Sequence, residues 1–209
     1  MSERVWYVSY GSNLLSERFL CYIQGGTAPG STKPESGCRD RTLPHDERAV
    51  FLQHQLFFAL RSGRWQGAVA FIDHEPGDNT TYARAYNITR EQFCDVVRQE
   101  NNDPELEVPI DAALADGHAQ VGNGWYSRLV HLGELDGEPM LSFTHPEPLA
   151  QHEPAKPSKA YLTVIIAGLQ ECYGLKEPAV SEYLLKLPGV SEHYRKGILG
   201  KLYESALEL

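Results

Sequence analysis

Hydrophobic and polar positions alternate along much of the first two thirds of the chain and take helical spacing in the last third. Alternation rich in Val, Trp, Tyr and Phe is typical of strands, whereas apolar residues three and four apart are typical of helices. Strands are predicted at residues 4–10, 49–60, 67–73, 81–88, 124–132 and 138–143. Helices are predicted at residues 14–23, 89–101, 158–173, 178–187 and 191–207. Strands followed by helices, with little βαβ alternation, favour an α+β fold.

The strands are expected to form one mixed, mainly antiparallel sheet, closed or nearly closed into a small barrel. Peripheral helices would surround it, and helices would fill the last third, at about 158–207. We predict a single domain, 1–209, although this length also allows two small domains. Residues 25–48 are rich in Gly and Pro and then polar, which predicts a long surface loop and a candidate lid. The pattern over 103–124 is ambiguous.

Turn and capping residues predict where several elements begin or end. Thr89 opens a capping box, and Ser158 and Ser191 are candidate N-caps of two late helices. The segment 75–79 reads Glu-Pro-Gly-Asp-Asn and predicts a turn between two strands. Leu-Asp-Gly at 135–137 predicts the connection of a hairpin.

Composition excludes several classes of protein. With 42% hydrophobic and 22% charged residues, the chain is typical of a globular protein rather than a disordered one. A net charge of −9 without a local Lys/Arg cluster argues against a nucleic-acid partner. The longest nearly apolar run, 160–169, is far shorter than the roughly 20 residues that span a bilayer, so no membrane association is expected.

The cysteines and the N-terminal residues indicate a cytoplasmic location. The four cysteines are scattered and form no CxxC pair, as expected of reduced thiols: Cys21, Cys38, Cys94 and Cys172. The apolar segment within residues 1–8 is too short for a signal peptide. The sequence leaves both a monomer and a homodimer open.

The first candidate site is the strand-to-helix junction Tyr10, Gly11, Ser12, Asn13 and Leu14. A tight turn at a helix N-terminus presents unpaired N–H groups and a positive dipole end, which together favour an anion. Glycine allows close approach to the backbone, and the Ser and Asn side chains add donors. The pattern therefore predicts a carboxylate or phosphate cradle, with a plain N-capped turn as the alternative.

The second candidate is Glu100, on the helix that follows Thr89. Phe93, Val96 and Val97 form its buried stripe, and Glu100 falls seven residues after Phe93 on the same stripe. A carboxylate on an apolar face is costly unless it is paired or used. Partial burial would raise its pKa toward the range that a general base needs. The alternative is a frayed last turn whose carboxylate faces solvent.

Other chemistries have weaker support. The eight histidines are spread singly, so a metal site, for example one built from His45, His54 and His74, is only a remote candidate. The chain contains no G-x-S-x-G motif, so Ser12 is not a nucleophile of that type.

The two candidate sites together resemble the gamma-glutamyl cyclotransferase family. The family signature YGSNL is present at 10–14, and the place of its catalytic glutamate is taken by Glu100. Further similarities to the family follow in chain order at 64–70, 75–78, 99–100, 124–126 and 157–161. Three positions depart from the family pattern, and they leave the substrate open: Ala68, Asn101 and Phe143.

The resemblance implies an enzyme that releases 5-oxoproline and a free amine from a γ-glutamyl amide, without a metal or organic cofactor. The turn would hold the γ-glutamyl group, Glu100 would act as general base and then acid, and Tyr126 and Tyr161 would contact the substrate. The two tyrosines are almost as readily explained as wall aromatics. The competing interpretation of the whole chain is a binding module that keeps the pocket without turnover.

Overall fold

The computed structural model describes residues 3–28, 31 and 33–209, which form a six-stranded mixed sheet with helices on both faces. The strands are β1 (Arg4–Ser9), β2 (Asp46–Ser62), β3 (Gly67–Thr89), β4 (His118–Gln120), β5 (Arg128–Leu135) and β6 (Glu138–Thr144). The helices are α1 (Ser16–Gln24), α2 (Arg90–Asn101), α3 (Ile110–Asp116), α4 (Lys159–Tyr173), α5 (Glu177–Leu184) and α6 (Lys196–Ala206). Single 3-10 turns lie at Ser12–Leu14 and Leu149–Gln151. The α+β class and the mixed sheet are as predicted.

The sheet is open, so the predicted barrel is wrong. The strand order is β2-β3-β1-β6-β5-β4, with β1 and β6 parallel and the other neighbours antiparallel. Closure would require β2 to pair with β4, but β4 has only three residues. Loop residues also bind backbone groups of β2 that a further strand would need. The Phe58 N–H donates to the Pro188 carbonyl, and the Phe58 carbonyl accepts the Ala155 N–H. A cavity of about 1060 Å³ lies between the two ends of the sheet.

The segment 75–79 does not reverse the chain, contrary to prediction. It lies inside β3, which joins the two predicted strands 67–73 and 81–88 into one. Between the pairs Leu56–Ile72 and Leu52–Thr81, β2 advances four residues and β3 nine, so the extra residues form a bulged region with a register shift on each side of the pair His54–Pro76. Pairing with β2 on both sides of the bulge overrides the local turn preference.

Most predicted helix boundaries agree with the structure. Thr89 forms the predicted capping box with Gln92, and Ser158 caps α4, which ends at Tyr173 with Gly174 as its C-cap. The late N-cap at Ser191 is wrong, since α6 begins at Lys196. Residues 188–194 instead form successive turns closed by backbone hydrogen bonds, and the Glu192 carboxylate accepts the Gly189 N–H at 2.7 Å.

Alternation along β1 separates two apolar cores. Trp6 and Val8 belong to the core under α4, α5 and α6, whereas Val5 and Tyr7 belong to the core under α1 and α2. The turn that follows β1 contacts helices of both faces, α1 and α4. Among the described residues no helix has the length and apolar character needed to cross a bilayer.

Helix α4 packs directly against the turn that follows β1. Gly168 makes this possible, since a Cβ at that position would lie 2.5 Å from the Leu14 Cβ and 2.6 Å from the Leu15 nitrogen. The turn is thus fixed between β1 and α4.

Candidate active site

A cavity of about 460 Å³ opens where β1 ends, between the turn, α2 and α4. Seven of the eight residues predicted for the site line this cavity: Tyr10, Gly11, Ser12, Asn13, Glu100, Tyr126 and Tyr161. The turn and the distant glutamate, predicted separately from the sequence, therefore share one cavity.

The remaining predicted residue, Leu14, is placed differently. Its side chain is buried in the core, and its backbone N–H donates to the Gly11 carbonyl at 3.0 Å to close the turn. Within the described part of the chain, the N–H groups of Gly11, Ser12 and Asn13 donate to no other residue. The donors available for an anion or an oxyanion are therefore those of residues 11–13.

Glu100 is half-buried in the last turn of α2 and faces the cavity. The Asn13 amide Nδ2 lies 3.4 Å from Glu100 Oε1 and 3.3 Å from the Tyr7 hydroxyl. Burial raises the pKa of the Glu100 carboxyl, an effect that the positive charge of Arg18 and a hydrogen bond from Tyr22 partly oppose. The side chain thus combines contact with the turn and a raised pKa, as a proton-transfer group requires.

Tyr126 and Tyr161 hold one wall of the cavity through Ala70. The Ala70 N–H donates to the Tyr161 hydroxyl at 3.3 Å, and the Tyr126 hydroxyl donates to the Ala70 carbonyl at 3.2 Å. Ala70 of β3 lies opposite Phe58 of β2. The Phe58 N–H donates to the Pro188 carbonyl rather than to Ala70, so Phe58 and Ala70 form a non-hydrogen-bonded pair of the two strands. The two hydroxyls therefore satisfy backbone groups that lack a strand partner.

A charged wall of the cavity was missed by sequence reasoning. Arg18 from α1 is 2% exposed and lies 3.9 Å from Glu35, which pairs with Arg64 at 2.5 Å. Arg18 lies on the buried side of α1, beside Phe19 and Tyr22. Like Glu100, it is a charged residue on the apolar face of a helix, which is the pattern that identified Glu100 in the sequence.

Glu35 reaches the cavity because its loop is fixed to α2. Asp95 accepts the Arg39 N–H at 2.9 Å, and Gln99 accepts the Gly37 N–H at 3.1 Å while donating to the Tyr22 carbonyl at 2.9 Å. Three polar side chains of α2, including Gln92, thus bind loop backbone. Of the predicted loop 25–48, residues 33–35 line the cavity, and the attachment of residues 37–42 to α2 holds the following stretch in place.

Two positions that depart from the family pattern also lie at the cavity. Asn101 donates to the Val97 carbonyl at 3.0 Å and the Tyr126 carbonyl at 3.2 Å, so it positions the segment that carries Tyr126. Phe143 stacks on Tyr7, with ring centroids 5.5 Å apart. Both residues shape the wall and bring no titratable group.

The histidines that the sequence suggested for a metal do not meet. Within the described ranges, the side chains whose ligand atoms could share a metal ion are His145, Glu147 and His152, and His45, His54 and His74 form no such group. The His145 Nδ1 lies 3.0 Å from His152 Nε2 and also accepts the Glu147 N–H at 3.1 Å. That acceptor is already in use, and the group lies outside the cavity lining.

Comparison with solved structures identifies the fold. A gamma-glutamyl cyclotransferase matches 97% of this chain and 99% of its own, with a TM-score of 0.50 and 17% sequence identity. An uncharacterized protein from Homo sapiens matches 87% of both chains at a TM-score of 0.49 and 17% identity. The chain therefore has the gamma-glutamyl cyclotransferase fold, and at this identity the likeness concerns the fold alone.

Comparison of sequences gives a relative with a different name. The chain is 36% identical over 204 residues to "Histone deacetylase 5" of Arabidopsis thaliana. The match covers 87% of this chain and 30% of that protein. The chain thus spans less than a third of the length of that relative. No family model matches the sequence.

Proposed function

We propose that this protein is a gamma-glutamyl cyclotransferase that converts a γ-glutamyl amide into 5-oxoproline and a free amine. The observation that carries the proposal is the placement of Glu100, a carboxylate with a raised pKa, beside Asn13 and the free N–H groups of the turn. The fold shared with a gamma-glutamyl cyclotransferase supports the same class.

In this proposal Glu100 moves one proton twice. Its carboxylate takes a proton from the α-ammonium of the substrate, and the freed amine attacks the γ-carbonyl carbon of the same molecule. The new C–N bond closes a five-membered ring, and the carbonyl oxygen gains negative charge. Holding the chain in the folded conformation that brings the two groups together supplies much of the rate increase.

The intermediate then collapses. The N–H groups of Gly11, Ser12 and Asn13 are the donors that would stabilise its oxyanion. The bond to the leaving amine breaks as that nitrogen takes the proton back from Glu100. The ring nitrogen, positively charged after the attack, loses its second proton, and the freed amine takes up one proton to become an ammonium. Glu100 is again a carboxylate, so the cycle requires no net proton and no metal or organic cofactor.

A binding module with the same pocket is the alternative class. It would keep the contacts of residues 11–13 with a γ-glutamyl group but would not use the basicity of Glu100. The raised pKa of Glu100 favours the enzyme, since a base that takes a proton from an ammonium works better with a pKa above that of an ordinary carboxylate.

The name of the Arabidopsis relative supplies a control reaction. The match covers 30% of that protein, and in the described part of the chain the Glu100 cavity contains no group of metal ligands. An acetylated-lysine peptide is the control substrate. Its acyl group carries no amine that could attack the amide carbonyl, so the proposed mechanism predicts no deacetylation.

The test is a panel of γ-glutamyl amides with different leaving amines, assayed for 5-oxoproline with and without a chelator. The panel includes γ-glutamyl amino acids, γ-glutamylamines and glutathione, and the acetylated-lysine peptide is the control. We expect chelator-independent 5-oxoproline release from at least one amide. Binding of the amides without turnover would support the binding module, and a chelator-sensitive reaction would contradict the mechanism.

A further inference from the structure

The guanidinium of Arg18 is buried at the cavity with most of its hydrogen-bonding capacity unused. Its one hydrogen bond within the described residues runs from Nε to the Ser12 Oγ at 2.9 Å. Among the described residues, the buried Nη1 atom has no hydrogen-bond partner, and the acceptor nearest to Nη2 that forms an ion pair with it is the Glu35 carboxylate at 3.9 Å, beyond hydrogen-bond distance. Arginine has five N–H donors, so four are free for another acceptor.

This arrangement is costly for the free protein. A buried charge whose counter-ion lies 3.9 Å away and also pairs with another arginine loses solvation that the protein only partly replaces. Trp65 and Tyr22 provide partial compensation, since the Arg18 Cζ lies 4.9 Å and 5.8 Å from their ring centroids. Glu35 provides little, because it is already paired with Arg64. The unused donors therefore indicate an anion that arrives with the ligand.

Arg18 and Glu100 present opposite charges to the same cavity without touching each other. Arg18 is close enough to lower the pKa of Glu100, yet no ion pair joins the two within the described residues. An α-amino acid head group has the complementary arrangement, with an ammonium and a carboxylate on one carbon.

We propose that Arg18 binds the free α-carboxylate of the γ-glutamyl group while Glu100 faces its α-ammonium. With Nε held by Ser12, the Nη1 and Nη2 edge remains for a bidentate contact with a carboxylate. The inference rests on the proposed function and narrows its substrate class. Substrates with a free α-carboxylate should therefore be preferred over γ-glutamyl amides whose α-carboxyl is an ester or an amide, even where the α-ammonium is free.

The alternative for Arg18 is a purely internal role, in which it orients Ser12 and adjusts the pKa of Glu100. Removing Arg18 would then slow the reaction of every substrate by the same factor, whether or not the substrate has a free α-carboxylate. Direct binding predicts a different result, because only substrates with the carboxylate would lose an interaction. The ratio between two substrates separates these roles, whereas the rate with one substrate does not.

The experiment compares kcat/KM for one γ-glutamyl amide and its α-carboxamide analogue. The proteins are the wild type, Arg18→Gln, Arg18→Lys and Arg48→Gln, an exposed arginine on β2 paired with Asp46. We expect the wild type and Arg48→Gln to prefer the carboxylate by roughly 10- to 100-fold, as for a hydrogen bond to a charged group. Arg18→Gln should reduce this preference to within about threefold, and Arg18→Lys should give a value in between because it keeps the charge without the planar fork.

Equal turnover of the two substrates by the wild type would overturn the inference, as would a preference unchanged in Arg18→Gln. If Arg18→Gln does not fold, the two substrates are compared with Arg18→Lys instead. An unchanged preference for the carboxylate in Arg18→Lys would likewise overturn the inference. If the wild type releases no 5-oxoproline, the proposed function fails, and equilibrium binding of both compounds to wild type and variants replaces kinetics. A carboxylate preference that depends on Arg18 would still support its role, and binding without such a preference would refute it.

Discussion

Removal of the Tyr161 hydroxyl should destabilise the wall of the cavity. Tyr161 and Ala70 are 3% and 1% exposed, and the hydroxyl is the acceptor for the Ala70 N–H at 3.3 Å. Ala70 cannot use β2 instead, because the carbonyl of its partner Phe58 accepts the Ala155 N–H at 2.8 Å. In Tyr161→Phe the ring stays and a buried N–H loses its acceptor.

The magnitude follows from this single loss. An unsatisfied buried donor costs about 1–3 kcal/mol of the free energy of unfolding. For a domain of this size, 1 kcal/mol corresponds to about 2–4 °C in Tm, so the variant should melt about 2–12 °C below the wild type. Urea unfolding should show a lower midpoint with an unchanged slope, since the surface exposed on unfolding is the same.

Tyr126→Phe is the matched control. It removes the donor to the Ala70 carbonyl at 3.2 Å, but Tyr126 is half-buried and water can replace its hydroxyl. We expect a smaller loss of stability than in Tyr161→Phe. Wild-type stability of Tyr161→Phe, or a larger loss in Tyr126→Phe, would refute the reasoning.

Three further predictions concern Glu100, the packing of α4 and the loop. The kcat/KM for 5-oxoproline release should fall at acid pH with an apparent pKa above the ordinary glutamate value of about 4.3, because Glu100 must be ionised to act as a base and burial raises its pKa. An apparent pKa at or below that value would contradict the assignment of Glu100 as the base. Gly168→Ala places a Cβ 2.5 Å from the Leu14 Cβ and should lower the free energy of unfolding by about 1–3 kcal/mol in urea titration, whereas an unchanged midpoint would argue against the close contact. Asp95→Asn weakens the attachment to Arg39 and should cost about 1–2 kcal/mol at neutral pH. Because the pKa of Asp95 is lowered in the folded protein, that difference should shrink as the pH falls below the ordinary aspartate value; a pH-independent difference would count against the ion pair.

Local features of the fold could be predicted because neighbouring residues determine them. The capping box of Thr89 and the Asp136-Gly137 hairpin involve residues adjacent in sequence, and both are present, the hairpin residues having φ of 53° and 78°. The bulge at 75–79 could not be predicted, since its conformation depends on pairing with β2 at long range. Sheet closure failed for the same reason, because it depends on how β2 and β4 meet.

The residues of the candidate site differ in the same way: a local sequence pattern reveals some of them, whereas long-range contacts place the others. Glu100 was identified because a charge on the Phe93 stripe of α2 is visible in the sequence. Arg18 lies on a comparable stripe of α1 and could have been found by the same reasoning. Glu35 could not, since its position depends on contacts with distant residues: its ion pair with Arg64 and the attachment of its loop to Gln99 and Asp95.

Turnover by Glu100→Gln tests the central claim most directly. The substitution keeps the size of the side chain and removes its basicity, and Glu91→Gln, an exposed carboxylate in the first turn of the same helix, is the control. The account predicts that Glu100→Gln folds, binds the γ-glutamyl substrate and releases 5-oxoproline about 10²–10⁴-fold more slowly, while Glu91→Gln retains wild-type turnover. Near-normal 5-oxoproline release by Glu100→Gln would contradict the account.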